Sequence, residues 1–430
     1  MQLTHPFSQH PQRVALHNEI HARPPESMVA PLAISHVVML CDASQREASR
    51  AHVGTLLRDH HLPQPSAHDT YVCTDLGAFR LRWELHTEFV SWTFSHGLHT
   101  DAVDSAEPKA AIAEAPRGWL AQLPGVCLTG LHLWVLPRRG AGVPGLVGRM
   151  LHEDTLVAST VADGSGEVYT DFAIHADDFS RMFLFTDHLT PRRLGRLVQR
   201  LLEIETYRMA ALLGLPAARD TYGVLAFAER ELAELAESIR SASRDTEPLL
   251  LDRLTRLAGQ IESQHAATHS RFSASVAYFD LVDKRISDIA ETRLVGLQTI
   301  REFMDRRLTP ARSTCEWAAR RQNALSQRVS RVSSLLRTRV EIAQQQSSQA
   351  LLTAMNQRQD VQLKLQSTVE GLSVAAITYY IVGLVSYLAK AAQALGWPWQ
   401  AQSTAAVAIP LVAGLVWWAL RRLHNKVLQG

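Results

Sequence analysis

Two long stretches without a charged residue lie close together near the C-terminus, and they limit what this chain can be. Residues 371–389 read GLSVAAITYYIVGLVSYLA, and residues 401–420 read AQSTAAVAIPLVAGLVWWAL. A helix rises about 1.5 Å per residue, so about 20 apolar residues cross the hydrocarbon layer of a bilayer. Both stretches reach that length. The sequence therefore predicts a transmembrane hairpin of two helices, and a buried hairpin inside a soluble domain is the alternative.

Basic residues indicate how this hairpin is oriented. The short linker between the stretches carries one cation, whereas the tail after them carries Arg421, Arg422 and Lys426. Basic residues accumulate on the cytoplasmic side of a membrane. The N-terminus also lacks the apolar core of a secretory signal. We therefore expect a multi-pass protein of the cytoplasmic (inner) membrane, with both termini in the cytoplasm.

Polar and small residues interrupt the first apolar stretch. Ser373, Thr378 and Ser386 are the candidates that would face a pore if several copies of this helix surrounded one. Small residues such as Gly371 and Gly383 let transmembrane helices approach one another closely. The expected partners are therefore the lipid bilayer and further copies of the same chain, as a homo-oligomer.

A long helix is predicted to lead into the membrane. Between Pro310 and Gly371 there is neither proline nor glycine, and apolar residues such as Leu325, Val329 and Val332 recur at spacings of three and four. This spacing indicates one buried helix face. We expect one helix from about residue 311 to 390, on the order of 100 Å long. It begins after Thr309-Pro310 and packs in a bundle or coiled coil with the helices predicted at 191–213, 217–244 and 247–307.

Before about residue 190 the sequence is typical of a mixed sheet. Asp163-Gly164-Ser165-Gly166 is a hairpin-turn signal between two β-rich runs. The Gly-rich segment 139–148 lacks the lysine of a phosphate-binding loop and is predicted to be a surface loop. Helices are predicted at 43–58 and 110–123, and strands at 34–41, 70–75, 79–86, 89–95, 128–136, 157–162 and 167–174.

The predicted fold class is thus an α+β cytoplasmic domain followed by a long-helix bundle and a C-terminal two-helix transmembrane hairpin, an architecture similar to that of CorA. The expected boundaries are a mixed α/β domain at 1–190, a helical bundle at 191–309, a stalk helix at 310–370, the hairpin at 371–420 and a basic tail at 421–430.

Two groups of alternating polar residues are candidates for chemistry. His17, Glu19 and His21 would project from one face of an extended segment, and two imidazoles with a carboxylate can bind a divalent metal ion. The alternative is a docking segment whose polar groups bond to backbone. Glu84 and His86, with Glu88, alternate in the same way on a predicted strand. One face of a half-exposed strand gives the same pattern, and that interpretation is favoured there.

Several function classes are disfavoured. The chain has no GxSxG, Walker or HExxH motif and no GxGxxG-plus-acid arrangement, so a conventional nucleotide enzyme is not expected. A net charge of +2 does not indicate a nucleic-acid partner. The four scattered cysteines form no CxxC pair, which favours reduced thiols over a zinc site or disulfides. On balance, catalysis is not predicted.

Several pieces of the chain resemble an uncharacterised bacterial family of predicted membrane-anchored proteins with a domain of unknown function. They are NEIHARP (18–24), RWELHTEF (82–89), RLLEIETYRMAALLGLP (200–216), EFMDRRLTPARSTC (302–315) and QSTVEGLSVAAITYYIVGLV (366–385). The resemblance covers nearly the whole chain. It implies membrane anchoring, but it brings no activity, substrate or catalytic residue.

A second resemblance concerns architecture. A cytoplasmic α/β domain, a long helix entering the first span and a basic tail are similar to CorA-type magnesium channels, which are homopentamers whose first span lines the pore. The Gly-Met-Asn signature of those channels is absent, and ALGWP (394–398) stands there instead. The first hypothesis is therefore an oligomeric channel for an ion or small solute. Nearly level with it is a membrane-tethered module that binds a ligand or partner, and a metal-dependent enzyme comes third.

Overall fold

Alternating and helical apolar patterns divide the chain into a part with a sheet and a part made of helices. The computed structural model describes residues 8–14, 16–17, 24–98, 107–138, 142–243, 245–396, 398 and 401–427. The backbone groups into two units. We call residues 1–238 with 252–332 the sheet unit, and residues 239–251 with 333–430 the helical unit.

The strands of the sheet unit are short and rich in β-branched and aromatic residues, as strands usually are. They are β1 (Leu32–Leu40), β2 (Tyr71–Asp75), β3 (Arg80–Leu85), β4 (Phe89–Gly97), β5 (Val126–Leu136), β6 (Val157–Val161), β7 (Gly166–Thr170), β8 (Ser180–Thr186) and β9 (Thr292–Arg293). Within the described residues they form one sheet in the order β2-β3-β4-β1-β5-β8-β7-β6-β9. Only β5 and β8 pair in parallel there. The seven predicted strands are confirmed, and the predicted turn joins β6 to β7.

The helices range in length from a single turn of 4 residues to 95 residues. They are α1 (Ala43–Asp59), α2 (Arg117–Leu120), α3 (Gly142–Met150), α4 (Pro191–Leu212), α5 (Gly214–Ser241), α6 (Glu247–Asp288), α7 (Ile300–Ala394) and α8 (Ala401–Val427). The mixed α/β sheet region, the long helix and the C-terminal apolar helix of the prediction are thus confirmed.

Each face of the sheet has its own apolar core. On one face, Leu194, Val198 and Leu201 of α4 lie along one helix stripe and pack with α6, the start of α7 and strand residues such as Leu133. On the opposite face, α1 and α3 pack against strand residues such as Trp92. Because both faces are covered, side chains on either face of the central strands are buried.

Two predictions in the sheet region are wrong. The segment predicted as a loop at 139–148 contains α3, because Val143, Leu146 and Val147 have helical spacing and are buried in the core. The helix predicted at 110–123 is a 3-10 turn, Ala111–Glu114, followed by the single turn α2. Pro116 separates the two turns, because its ring cannot continue the preceding helix.

The boundary between α6 and α7 also differs from the prediction. A loop containing Gly296, at φ +85°, interrupts the helix expected at 247–307. Thr299 then starts α7 with a capping box: its hydroxyl accepts from the Glu302 N–H at 3.1 Å, and its own N–H donates to Glu302 at 3.0 Å. Pro310 lies inside α7 and does not start it. Burial of the turns around it, with Met304 and Ala311 in the core, offsets the missing hydrogen bond.

The helical unit contains the last part of α7 and all of α8. Both helices are long and apolar enough to span a membrane, each with a most apolar window of mean hydropathy 1.8. Only 6% of each window is buried, whereas the core helix of a soluble protein is mostly buried. The two apolar stretches are therefore confirmed as helices, and most of their residues are not buried against other parts of the protein.

Candidate functional site

A cavity of about 230 Å³ lies on one face of the sheet unit, between β1, β3 and β4 on one side and α4 and α6 on the other. Most of its lining is polar, although the same sheet face is apolar further along, over β5 and β8. The lining residues are His36, Arg82, Glu84, His86, Phe89, Ser91, Thr93, Gln199, Leu202, Glu203, Thr206, Tyr207 and Arg285.

Strand alternation places the polar side chains there. In β3, Leu81 and Trp83 point into the apolar core under α1, so Arg82 and Glu84 point to the cavity face. The neighbouring strand β4 alternates in the same way, and its Ser91 and Thr93, which pair with Glu84 and Arg82, also line the cavity. Arg82 and Glu84 are 7% and 8% exposed, so the interpretation of a half-exposed face is wrong for Glu84, whereas His86 and Glu88 are half-buried.

His36 is held in one tautomer at the floor of the cavity. The Thr206 hydroxyl donates its proton to the Leu202 carbonyl at 2.9 Å, so it accepts from His36 Nε2–H at 3.0 Å. The Thr93 hydroxyl then donates to Nδ1 at 2.8 Å. Burial lowers the pKa of His36 to about 4. The imidazole is therefore neutral at physiological pH, and both of its nitrogens are occupied.

Arg82 and Glu84 form a buried ion pair, with the guanidinium Nη2 2.8 Å from the carboxylate. Ser91 donates a second, longer bond of 3.3 Å to Glu84. Burial by itself would raise the pKa of Glu84, but the attraction of Arg82 outweighs it and holds the pKa below its usual value. Glu84 is therefore a carboxylate at neutral pH.

A second ion pair reaches the cavity from the helices. Arg285 of α6 donates through Nε to Glu203 of α4, and Gln199 donates to the same carboxylate at 2.9 Å. Arg285 also contacts Asp288 at 3.3 Å. Burial opposes the charge of Arg285, but its acidic neighbours raise its pKa above the ordinary value. The cavity thus has one arginine–glutamate pair on the strands, Arg82–Glu84, and a second on the helices, Arg285–Glu203.

The turn between β3 and β4 is fastened to α6 at the edge of the cavity. Arg271 donates two bonds to Glu88, at 2.9 and 3.2 Å, and the Tyr278 hydroxyl donates a third at 3.1 Å. Burial, together with the Glu88 charge, raises the pKa of Tyr278. A bidentate guanidinium–carboxylate pair fixes direction as well as distance. It therefore holds His86 and Phe89, which flank Glu88, at the cavity edge.

The cavity is suited to binding rather than to nucleophilic chemistry. It presents two guanidinium groups and two carboxylates, which together are net neutral, and it adds the apolar surfaces of Phe89, Leu202 and Tyr207. His36 is unsuited to acting as a general base, because both ring nitrogens are already bonded. Complementary charges in a partly enclosed site select a ligand by its own charge pattern.

Sequence reasoning found part of this lining. Glu84 and His86 of the alternating strand do line the cavity, while Glu88 turns to Arg271 at its edge. His36, Glu203 and Arg285 were not among the candidates. His36 lies in an otherwise apolar strand, so a polar residue where the pattern expects a core residue was the available signal for it. Glu203 and Arg285 lie in helices with many other charged residues, so nothing in the sequence distinguished them.

The predicted metal candidates near the N-terminus are not brought into any site that can be described. His17 is exposed, and Glu19 and His21 lie outside the described residues. A different group could hold a metal ion: His152, Asp171 and His175, whose ligand atoms all lie within 4.8 Å of one another. The spacing of these three residues matches no common metal motif, so no sequence pattern pointed to them.

The three pore candidates lie on α7, in its apolar stretch. Ser373 and Ser386 are half-buried, and Thr378 is buried. The Ser386 hydroxyl donates to the Val382 carbonyl at 2.8 Å, within its own helix. The burial of these three side chains does not show whether they face a pore, so their role in a pore stays a prediction.

The sequence profile of a family described as protein of unknown function (DUF3422) matches residues 8–427. The chain belongs to the DUF3422 family. This agrees with the resemblance to an uncharacterised family of membrane-anchored proteins. No curated protein and no solved structure matches this DUF3422 chain, so the similarity to CorA-type channels stays a prediction.

Proposed function

We propose that this DUF3422 protein is a membrane-anchored binding protein whose sheet unit binds a small zwitterionic molecule, such as an amino acid, in the cytoplasm. The hairpin of the last part of α7 and α8 serves as the anchor in the inner membrane, with both chain termini on the cytoplasmic side. The protein acts as a tethered binding module and needs no catalytic group for that task.

The observation that carries this proposal is the paired charge of the cavity. A ligand ammonium group would lie between Glu84 and Glu203, and a ligand carboxylate would bond to Arg285 or Arg82. The cavity, at about 230 Å³, is smaller than the roughly 300–1,000 Å³ typical of sites for drug-sized ligands. The expected ligand is therefore of metabolite size, carries both charges and has a short apolar part to contact Phe89.

Exposed apolar side chains support the anchor. Leu372, Tyr380 and Leu388 of α7 are 69–74% exposed, and Leu411 and Leu415 of α8 are each 64% exposed. An apolar surface of this extent is unfavourable in water and is normally covered by lipid or by another protein. The backbone of both stretches is bonded within its own helix, as a lipid environment requires.

Binding of a zwitterion is expected to raise the melting temperature of the detergent-purified full-length protein. Thermal unfolding is measured with each L-amino acid added separately. A ligand that binds only the folded state stabilises it in proportion to the logarithm of its concentration over Kd. At least one amino acid should raise the melting temperature, and the rise should be lost in Glu84→Gln and in Glu203→Gln, because each removes one negative charge from the cavity.

The matched control is Glu234→Gln, which makes the same change at an exposed position of α5. The control should keep the full rise. The melting temperature of each variant without ligand separates lost binding from lost folding. The proposal is wrong if no amino acid raises the melting temperature, or if the rise survives in both cavity variants.

Reporter fusions test the orientation of the hairpin. Green fluorescent protein joined after residue 430 should fluoresce, because the tail with Arg421 and Arg422 is expected in the cytoplasm. The same reporter joined after Leu395 should be dark, because it would follow a single span and be exported unfolded. Alkaline phosphatase at the same two positions should give the opposite pattern. Equal fluorescence of both fusions would contradict a spanning hairpin.

A further inference from the structure

His152, Asp171 and His175 converge at one point of the sheet unit, although they are separated along the chain. His152 follows α3, Asp171 is the first residue after β7, and His175 lies four residues later in the loop that leads to β8. None of the three lines the cavity described above. Whatever this group binds is therefore independent of the proposed zwitterion site.

Both imidazoles approach the same carboxylate oxygen. Nδ1 of His152 is 2.9 Å from Oδ2 of Asp171, and Nε2 of His175 is 3.0 Å from it. The two rings lie nearly parallel, with centroids 4.8 Å apart. Two histidines and one carboxylate that converge in this way form the ligand set found in many sites for zinc and other transition metals.

The carboxylate is held in place by the backbone. The His152 N–H donates to Oδ2 of Asp171 at 3.0 Å, and the Ala173 N–H donates to Oδ1 at 3.1 Å. The Asp171 side chain is completely buried. Bonds of this kind orient a metal-ligating carboxylate before the ion arrives, and such supporting bonds strengthen metal sites.

An unsatisfied nitrogen points to a missing ligand. The His175 side chain is 9% exposed, and its Nε2 has no hydrogen-bond partner among the described residues. The Asp171 oxygen is near, at 3.0 Å, but it does not lie in a direction that makes a hydrogen bond. A buried polar nitrogen without a partner is destabilising, and a cation bound to its lone pair would satisfy it.

We propose that His152, Asp171 and His175 bind a divalent transition-metal ion such as Zn²⁺. Imidazole ligands favour transition metals, whereas Mg²⁺ and Ca²⁺ prefer oxygen ligands. The His152 side chain is 61% exposed, so the ion would be open to solvent on that side, and water would complete its coordination. A site with three protein ligands and an open position resembles the sites from which metals bind or activate small molecules.

The geometry of the three ligand atoms needs small adjustments to hold a tetrahedral ion. Ligand atoms around a tetrahedral ion with bonds of about 2.1 Å are roughly 3.4 Å apart. Here both histidine nitrogens lie 2.9–3.0 Å from Oδ2 of Asp171, so those two pairs have to open by about 0.4–0.5 Å. The third pair lies within 4.8 Å and has to close by at most about 1.4 Å. The exposed His152 ring can turn to supply the largest part of this change.

Co²⁺ is a suitable probe, because its visible absorption reports nitrogen and oxygen ligands directly. The full-length protein is purified in detergent with a tag that lacks histidine, treated with a chelator and titrated with Co²⁺. We expect one Co²⁺ per chain and a higher melting temperature with the ion than without it. His152→Ala and His175→Ala should each weaken binding about tenfold or more, with loss of the visible bands.

Two histidine variants serve as controls. His68→Ala removes an exposed histidine elsewhere in the sheet unit, and His17→Ala tests the candidate near the N-terminus. Both should bind Co²⁺ like the original protein. His152→Ala is the decisive variant, because its side chain is exposed and its loss should leave the fold intact. The proposal is overturned if the protein binds no Co²⁺, if His152→Ala binds it undiminished, or if His17→Ala is the variant that loses binding.

Discussion

Gly195→Ala is expected to destabilise the sheet unit by about 3 kcal/mol or more, at the upper end of the usual cost of overpacking. A Cβ at Gly195 would lie 1.6 Å from the Glu26 carbonyl oxygen and 2.8 Å from its carbon. Those are backbone atoms, so no side-chain rotation relieves the clash. Either α4 or the segment around Glu26 must move, and the packing of α4 on the sheet is lost with it.

The loss extends to the cavity. Glu26 accepts from Arg80 at 2.7 Å and lies 3.9 Å from Arg82, so moving its backbone disturbs the charged residues of β3. The measurement is the free energy of unfolding in urea, followed by tryptophan fluorescence, because Trp83 and Trp92 are both fully buried in this unit. The expected result is a large fall in the unfolding midpoint.

Gly223→Ala is the matched control. It makes the same change within α5, where a Cβ would meet nothing within 4 Å. Alanine favours a helix over glycine by roughly 0.8–1.0 kcal/mol, so this variant should be as stable as the original or slightly more stable. If both variants had the same small effect, the close approach of α4 to Glu26 would be refuted.

Arg82→Met is the second variant with a large expected effect. It should destabilise the sheet unit by about 3–5 kcal/mol at neutral pH, because a buried carboxylate then loses the partner that compensates its charge. Glu84 is 8% exposed, and Arg82 is its 2.8 Å partner. The single Ser91 hydrogen bond, at 3.3 Å, is too weak to replace the guanidinium.

The effect of Arg82→Met should depend on pH in a defined direction. In the original protein the pKa of Glu84 lies below its usual value, so the ion pair contributes stability above the unfolded pKa and loses it as pH falls through the folded pKa. In the variant, burial without Arg82 raises the pKa of Glu84 above the unfolded value of about 4.3. The loss of unfolding free energy caused by Arg82→Met is then largest at neutral pH, and it becomes smaller as Glu84 gains a proton. Urea unfolding from pH 7 towards pH 4 should show the two stabilities converging.

Arg80→Met is the control on the same strand face. Arg80 also pairs with an acid, Glu26, but its side chain is 46% exposed. Glu26 itself is 11% exposed, but it keeps Arg82 at 3.9 Å when Arg80 is lost, so this variant should have a smaller effect than Arg82→Met. A loss in Arg82→Met that equals the loss in Arg80→Met, or that does not change with pH, would refute the buried pair as a source of stability.

Local patterns predicted most elements, and they failed where two signals conflicted. The apolar spacing of Val143, Leu146 and Val147 is helical, but four glycines and a proline at 139–148 indicate a loop, and that interpretation is wrong. Strand β8 is missing from the predicted strands, because its apolar run lacks the alternation of a half-buried strand. The Thr299–Glu302 capping box was a readable signal for the start of α7 that the predicted helix at 247–307 overlooked.

The sequence by itself determined the two apolar helices and the seven predicted strands, because a run of about 20 uncharged residues and a two-residue alternation act within one segment. It also indicated that Glu84 and His86 lie on one face of the segment predicted as a strand at 79–86. Only the tertiary structure decided that Glu84 is buried, that Arg271 reaches Glu88 across 183 residues, and that His152 meets Asp171. The physical reason is that a periodic pattern tells which face of a segment is polar, whereas the element that covers this face comes from a distant part of the chain.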